Sequence, residues 1–165
     1  MTTVLIIPER NEMDAPLFVA EVGLQSQGVD AVYLVDGWST NGTYEQLSEA
    51  LPELRKRFTG KRVELLRSEL RGTGKGGAMV TGMKRALDTD FRRILFLDGD
   101  ISSVTSSWCA LLLEGLEEHR AAMARGSFDR SPFDAQITRH ITRPLIAIYF
   151  PEGRRSSSLW AGNWR

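Results

Sequence analysis

Short continuous apolar runs alternate along this chain with longer stretches in which apolar residues recur every three or four positions. Residues 3–7 are β-branched and apolar, are closed by Pro8, and read as a buried first strand. Residues 13–25 carry Leu17, Val19, Ala20, Val22 and Leu24 at helical spacing. Pro16 fits the first turn of that helix, where its missing N–H costs little, and Gly28 ends it. Residues 31–35 form a second buried strand that stops at Asp36-Gly37. After turn residues 39–42, a helix starts at Thr43 and runs toward Phe58, with Pro52 expected to kink or split it. Residues 63–66 read as a third strand, 71–77 as a glycine-rich loop, 78–87 as a helix and 93–97 as a fourth strand. A helix over 108–119 follows, then a candidate strand at 121–125 and a helix over 134–143. Pro144 would kink that last helix or separate it from residues 145–150.

Strands that alternate with helices predict an α/β fold, a mostly parallel sheet flanked by helices. Ligands of such sheets bind at the carboxyl ends of the strands. Residues 8–12, 36–42 and 98–100 each follow a predicted strand, so these polar segments are expected to line one edge. With 165 residues, no long linker and no internal repeat, residues 1–165 are expected to form a single domain.

Composition narrows the function classes. The chain is 42% hydrophobic and 25% charged, which suits a globular protein. Lys plus Arg and Asp plus Glu both number 21, so no global field recruits nucleic acid or an acidic membrane. No basic surface is interleaved with aromatic residues, so no nucleic-acid partner is expected. No apolar run reaches the length of a membrane span, and the N-terminus does not read as a signal peptide. A cytoplasmic protein is the expectation. The one cysteine, Cys109, sits in an apolar helical stretch and reads as a small buried hydrophobe. His119 and His140 have no ligand partner at metal-binding spacing, and Met79, Met83 and Met123 fall at core-like spacing.

The chemistry concentrates in Asp98-Gly99-Asp100, which closes the apolar run 94–97. Two carboxylates two residues apart lean to the same side of an extended chain. They repel unless a cation neutralises them, and oxygen ligands suit Mg2+ or Mn2+. Such a cation can bridge to a diphosphate and stabilise it as a leaving group. A solvated turn is the plainer alternative, but a surface hairpin is not expected in the middle of an α/β pattern.

The glycine-rich loop Arg71-Gly72-Thr73-Gly74-Lys75-Gly76-Gly77 is not a Walker A motif, because Gly76 stands where Ser or Thr is required. It is not the dinucleotide fingerprint either, because it does not follow the first strand. It precedes a helix, whose N-terminal N–H groups favour phosphate, and Lys75 adds a point charge. A flexible connector with an exposed lysine is equally consistent. Glu12 could accept from a ribose or base, or cap the next helix. Asp36 could accept from a nucleobase, or be an ordinary turn residue beside Gly37.

Taken together, residues 7–12, 35–37 with 39–43, Gly74-Lys75-Gly76 and 97–100 resemble, in order and spacing, the successive nucleotide-sugar segments of family-2-like GT-A glycosyltransferases. Residues 133–144 are similar to the mannosylglycerate synthase family and its relative glucosyl-3-phosphoglycerate synthase. The resemblance implies a GT-A fold and a metal-dependent retaining enzyme of compatible-solute synthesis. That enzyme would move mannose or glucose from GDP-mannose or UDP-glucose to glycerate, 3-phosphoglycerate or a similar small acid. It implies that Asp98 and Asp100 hold the Mg2+ or Mn2+ and the nucleotide, that Arg10, Glu12 and Asp36 hold the nucleotide, and that Lys75 lies by the base or diphosphate. Pro8 and Gly99 stand in the same matched segments and count with the nucleotide-sugar set. Arg125 and Thr138 match positions that grip the acceptor carboxylate.

The chain departs from the pattern after residue 158. A Pro-Leu-Gly-Gly-Glu-like segment and a later acidic residue and histidine have no counterpart, so the C-terminal part of the fold is expected to be missing. An exposed sheet edge would then favour a homo-oligomer. Two other readings stay open: a non-catalytic nucleotide-sugar-binding module or inactive remnant, and a nucleotidyltransferase on a related fold.

Overall fold

The computed structural model describes residues 2–126, 140–141 and 143–149, and the statements below concern these. Four strands, β1 (Thr3–Glu9), β2 (Ala31–Asp36), β3 (Arg62–Arg67) and β4 (Arg93–Phe96), form one sheet. Its order is β3-β2-β1-β4, and every pairing is parallel. Helices α1 (Ala15–Gln25), α2 (Thr43–Arg57), α3 (Gly74–Leu87) and α4 (Ser106–Glu118) follow the four strands in turn. The contacts divide the chain into two compact units, residues 1–114 and 115–165. The second unit holds the end of α4, the irregular residues 119–126 and α5 (Arg143–Tyr149), whose Pro144 sits in the first turn.

β1 is buried along all seven residues, as a strand with neighbours on both edges and helices on both faces must be. Alternation sends Val4 and Ile6 to one face, where they join Tyr33, Val35, Ala78 and Ala86 in a core cluster. Tyr33 and Phe91 also pack edge to face, with ring centroids 5.9 Å apart. The residues that α3 buries are small: Gly77, Ala78, Thr81, Gly82 and Ala86. A helix with such a face can lie close on the sheet. Leu5 and Val32 occupy the opposite face, against Gly23 of α1. Cys109 is buried, as its apolar surroundings require.

β1 continues two residues beyond its expected end, through Pro8 and Glu9. Pro8 is tolerated because β4 pairs only with Thr3 to Ile6, so at Pro8 the strand has β2 alone beside it. α2 runs unbroken through Pro52, held by Leu47, Leu51 and Leu54 buried along one side. Three further expectations are corrected. The glycine-rich segment is a loop only to Thr73, and Gly74 to Gly77 form the first turn of α3. Residues 121–125 form no strand: they follow Arg120, which is left-handed at φ 46°, and their alanines have little β preference. Met123 in this segment is exposed rather than in a core.

Gly82 and Gly76 of α3 make a paired test of the close helix–sheet approach. A β-carbon at 82 would stand 2.6 Å from Ile6 Cγ2, whereas one at 76 would meet nothing within 4 Å. Gly82→Ala is expected to cost about 1–3 kcal/mol through overpacking. Gly76→Ala is expected to gain a few tenths to about 1 kcal/mol of helix propensity. Urea denaturation of the two variants checks the opposite signs.

Candidate functional site

Parallel register brings the carboxyl ends of β1 and β2 level, with Glu9 beside Asp36, and β4 ends on the other side of β1. The loops after these strands are tied to one another. Gly37 N–H donates to the Glu9 carbonyl at 2.8 Å. Asn11, left-handed at φ 61°, donates its N–H to Ser39 Oγ and accepts the Thr40 N–H on Oδ1. Met13 N–H reaches Thr43 Oγ1 at 3.0 Å. An asparagine suits that left-handed position because its short polar side chain bonds locally.

Asp98, Gly99 and Asp100 follow β4. Gly99 is buried, and a β-carbon there would lie 3.0 Å from Glu9 Cβ and 3.3 Å from Pro16 Cγ. Glycine therefore suits the tight packing against the end of β1. The turn lies on β1 while Asp98 and Asp100 remain exposed. Lys75, in the first turn of α3, pairs its ammonium with Asp98 Oδ1. The first-turn N–H groups of α3 have no side-chain cap, since Thr73 Oγ1 donates instead to the Leu70 carbonyl.

These residues enclose a cleft of about 200 Å³. Pro8, Glu9, Arg10 and Glu12 line it from the end of β1, and Gly37 from β2. Gly74 and Lys75 line it from α3, and Asp98, Gly99 and Asp100 from the end of β4. Seven of the eight residues expected to hold the nucleotide sugar thus share one cleft. The eighth, Asp36, does not line it: the side chain is fully buried. Its Oδ1 accepts the Ser39 N–H and its Oδ2 the Trp38 N–H, and Arg67 Nε stands 3.3 Å from Oδ2. The Arg67 contact is ionic rather than an aligned hydrogen bond. Its guanidinium lies over the rings of Tyr44 and Trp38, at 3.8 and 5.1 Å. Of the expected acceptor residues, Arg125 is exposed and belongs to the second unit, and Thr138 lies outside the described residues.

Asp98 and Asp100 are a fitting seat for a divalent cation. They are two exposed oxygen donors at a strand end, and the Lys75 ammonium shows that Asp98 takes a positive partner there. No group of three or more potential metal ligands occurs among the described residues. Two carboxylates plus substrate phosphates are a usual arrangement for Mg2+.

Glu9 is the site residue that the sequence did not single out. It is 5% exposed, and its carboxyl lies beside that of Asp36, to which its neutral form donates a hydrogen bond. Oε2 accepts from Ser39 Oγ at 3.4 Å. Burial first, and then the charge and hydrogen bond of Asp36, push the Glu9 carboxyl from its ordinary 4.5 up to about 8. Period-two counting from Leu5 and Ile7 places Glu9 on the same inward face, and that was the signal available.

A family model described as "Mannosylglycerate synthase, GT domain" matches residues 4–160. The chain is 35% identical to the mannosylglycerate synthase of Rhodothermus marinus over 119 residues, which cover 70% of this chain and 30% of that protein. It is 31% identical to that of Selaginella moellendorffii over 121 residues, 70% of this chain and 28% of that protein. The chain thus spans about a third of the length of these relatives. Among solved structures, it resembles glucosyl-3-phosphoglycerate synthase of Mycobacterium tuberculosis in complex with Mn2+, UDP and glucosyl-3-phosphoglycerate. The TM-score is 0.62 at 22% identity, over 92% of this chain and 51% of that one. A CMP-2-keto-3-deoxy-manno-octonic acid synthetase complexed with CTP gives a TM-score of 0.50 at 17% identity, over 73% of this chain and 49% of that one. These structural likenesses show the fold: the mostly parallel sheet is that of GT-A glycosyltransferases. No helix among the described residues is long and apolar enough to cross a membrane.

Glu9 gives stability a predictable pH dependence. The unfolded carboxyl ionises near 4.5 and the folded one near 8, so the unfolded chain loses its proton first. The contribution of neutral Glu9 is complete below about 4.5 and is lost as pH rises through about 8. Glu9→Gln, which cannot ionise, is expected to gain stability over the parent as pH rises across that window. Thermal melts in a pH series check this, and a difference that does not vary with pH would contradict it.

Proposed function

The chain belongs to the family of mannosylglycerate synthase GT domains, and from that premise we propose that it forms the donor-binding part of a metal-dependent hexosyltransferase. The enzyme moves a mannosyl or glucosyl unit from a nucleoside diphosphate, as GDP-mannose or UDP-glucose, to glycerate, 3-phosphoglycerate or a similar small acid. The observation that carries the reading is the convergence of Arg10, Glu12, Lys75, Asp98 and Asp100 on one cleft at the carboxyl edge of the sheet. The family match and the Mn2+ and UDP bound by the mycobacterial relative support the same reading.

Each residue then has a task set by its chemistry. Asp98 and Asp100 hold the divalent cation, Mg2+ or Mn2+. The cation, when bound, offsets negative charge on the departing diphosphate. Lys75 and the uncapped first turn of α3 present positive charge and N–H donors to phosphate oxygens. Arg10 adds an exposed guanidinium from the end of β1. Glu12 accepts from the nucleoside. Asp36 acts from behind the wall: it fixes the Trp38–Ser39 turn that carries the β2 loop. Arg125 and Thr138 are the residues proposed to hold the acceptor carboxylate, with transfer retaining the anomeric configuration. The edge of the sheet at β4 is the surface proposed for self-association.

Calorimetry with GDP-mannose and UDP-glucose, with and without Mn2+, tests the reading alongside a transfer assay on glycerate. One donor is expected to bind only with the cation. Asp98→Asn and Asp100→Asn are each expected to weaken that binding by about 100-fold, close to 2.8 kcal/mol. Failure of both donors to bind with Mn2+ present would refute the proposal.

A further inference from the structure

The acidic pair after β4 shares the cleft with an ammonium that already holds one of its oxygens. Asp98 and Asp100 are exposed, and Lys75 reaches Asp98 Oδ1 from the first turn of α3. Among the described residues, this is the only ion pair of either side chain, and Asp100 has none. All three line the cleft. Lys75 and Asp98 are each about half exposed, so water competes for both and the pair is weakly held. The base of Lys75 is fixed, because α3 lies on the sheet with Ala78 and Ala86 in the core and Gly82 against Ile6. Its four-carbon stem remains free to re-aim the ammonium.

We infer that Lys75 is a specificity-determining residue: by exchanging Asp98 for a phosphate oxygen, it makes the acidic pair select a divalent cation that comes with a nucleoside diphosphate over the bare cation. The inference rests on the nucleotide-sugar reading above and deepens it. Charge sets the sign of each half. A bare cation seated on Asp98 and Asp100 takes the oxygen that Lys75 holds. It also leaves the ammonium beside a like charge, with three donors and no anionic partner. Lys75 therefore weakens the bare cation. A diphosphate reverses the balance, because its oxygens serve the cation and the ammonium together. Lys75 then trades one anionic partner for another instead of losing one. By linkage, the factor that the nucleotide lends to cation affinity is the factor that the cation lends to nucleotide affinity. Lys75 raises that shared factor from both ends. Arg10 lines the same cleft but makes no ion pair with Asp98, so its charge adds to the second half alone.

The test measures Mn2+ binding to the full chain through the electron paramagnetic resonance signal of the free ion. Mn2+ is titrated alone and then with UDP or GDP, with correction for the complex that ion and nucleotide form in solution. Lys75→Met is expected to bind Mn2+ alone about three- to fivefold more tightly than the wild type, the release of one exposed ion pair. With nucleotide present the order reverses. The factor by which nucleotide tightens Mn2+ binding is expected to fall at least about tenfold, through loss of one charge-assisted bond to phosphate. Arg10→Met removes the same charge from the cleft but no partner of Asp98. At an ionic strength of about 0.15 M it is expected to change the affinity for Mn2+ alone by less than about twofold. Thermal melting checks that the variants are folded, and Lys75→Gln repeats the comparison with a second neutral side chain. Three results overturn this inference while the nucleotide-sugar reading stands: Mn2+ alone bound no more tightly by the Lys75 variants, an equal gain in Arg10→Met, or an undiminished nucleotide factor. If neither UDP nor GDP binds the wild type with Mn2+, that reading falls, and this inference falls with it.

Discussion

Everything at the site depends on β1 being clamped in parallel between β2 and β4. Its seven residues are all buried, so its register against both neighbours is held by the packing of each face. A slip of one residue would turn Val4 and Ile6 away from α3 and bring Leu5 in their place. It would also carry Glu9 off the wall of the cleft. The polar loops after three strands meet because that register brings the strand ends out on one edge. The loops add short-range ties of their own, through Asn11, Ser39 and Thr43, but the sheet sets where they start.

The constraint also explains why two carboxyls sit where burial penalises them. Asp36 ends β2 and is enclosed, yet two backbone N–H groups and the Arg67 guanidinium satisfy it. Arg67 is in turn stacked on Tyr44, so the charge pair is built into the loop that shapes one wall. Glu9 has the same register position on the next strand without the same support. A stability-only design would place an apolar residue there. A buried carboxyl beside a second one, at a position lining the cleft, fits the pattern of local cost at a binding site.

Much of this architecture is legible from sequence because the strands are short apolar runs and the helices have clear periods. The runs around Ile6, Val32 and Leu95 could hardly be anything but buried strands once helices alternate with them. The acidic pair stood out because it ended such a run. What was hidden depends on tertiary neighbours. Glu9 looks like one more charge in a polar loop, but it ends the buried strand β1, beside Asp36 and against Gly99. The glycines at 74, 76 and 77 suggest a loop by composition. They begin a helix because Gly77 and Gly82 allow α3 to press against its surroundings and the sheet. Asp36 shows the opposite error of inference: a strand-end carboxylate that suits a ligand is occupied by its own backbone.

The central claim is that the ends of β1 and β4 with the start of α3 form one seat for a divalent cation and a nucleoside diphosphate. Paramagnetic broadening of backbone amide resonances by Mn2+ tests it most directly, with UDP or GDP added. The account predicts that residues 9–12, 37, 74–75 and 98–100 broaden first and together, and only weakly when Asp98 and Asp100 are both asparagine. Broadening centred elsewhere in the chain, or unchanged in that double variant, would contradict it.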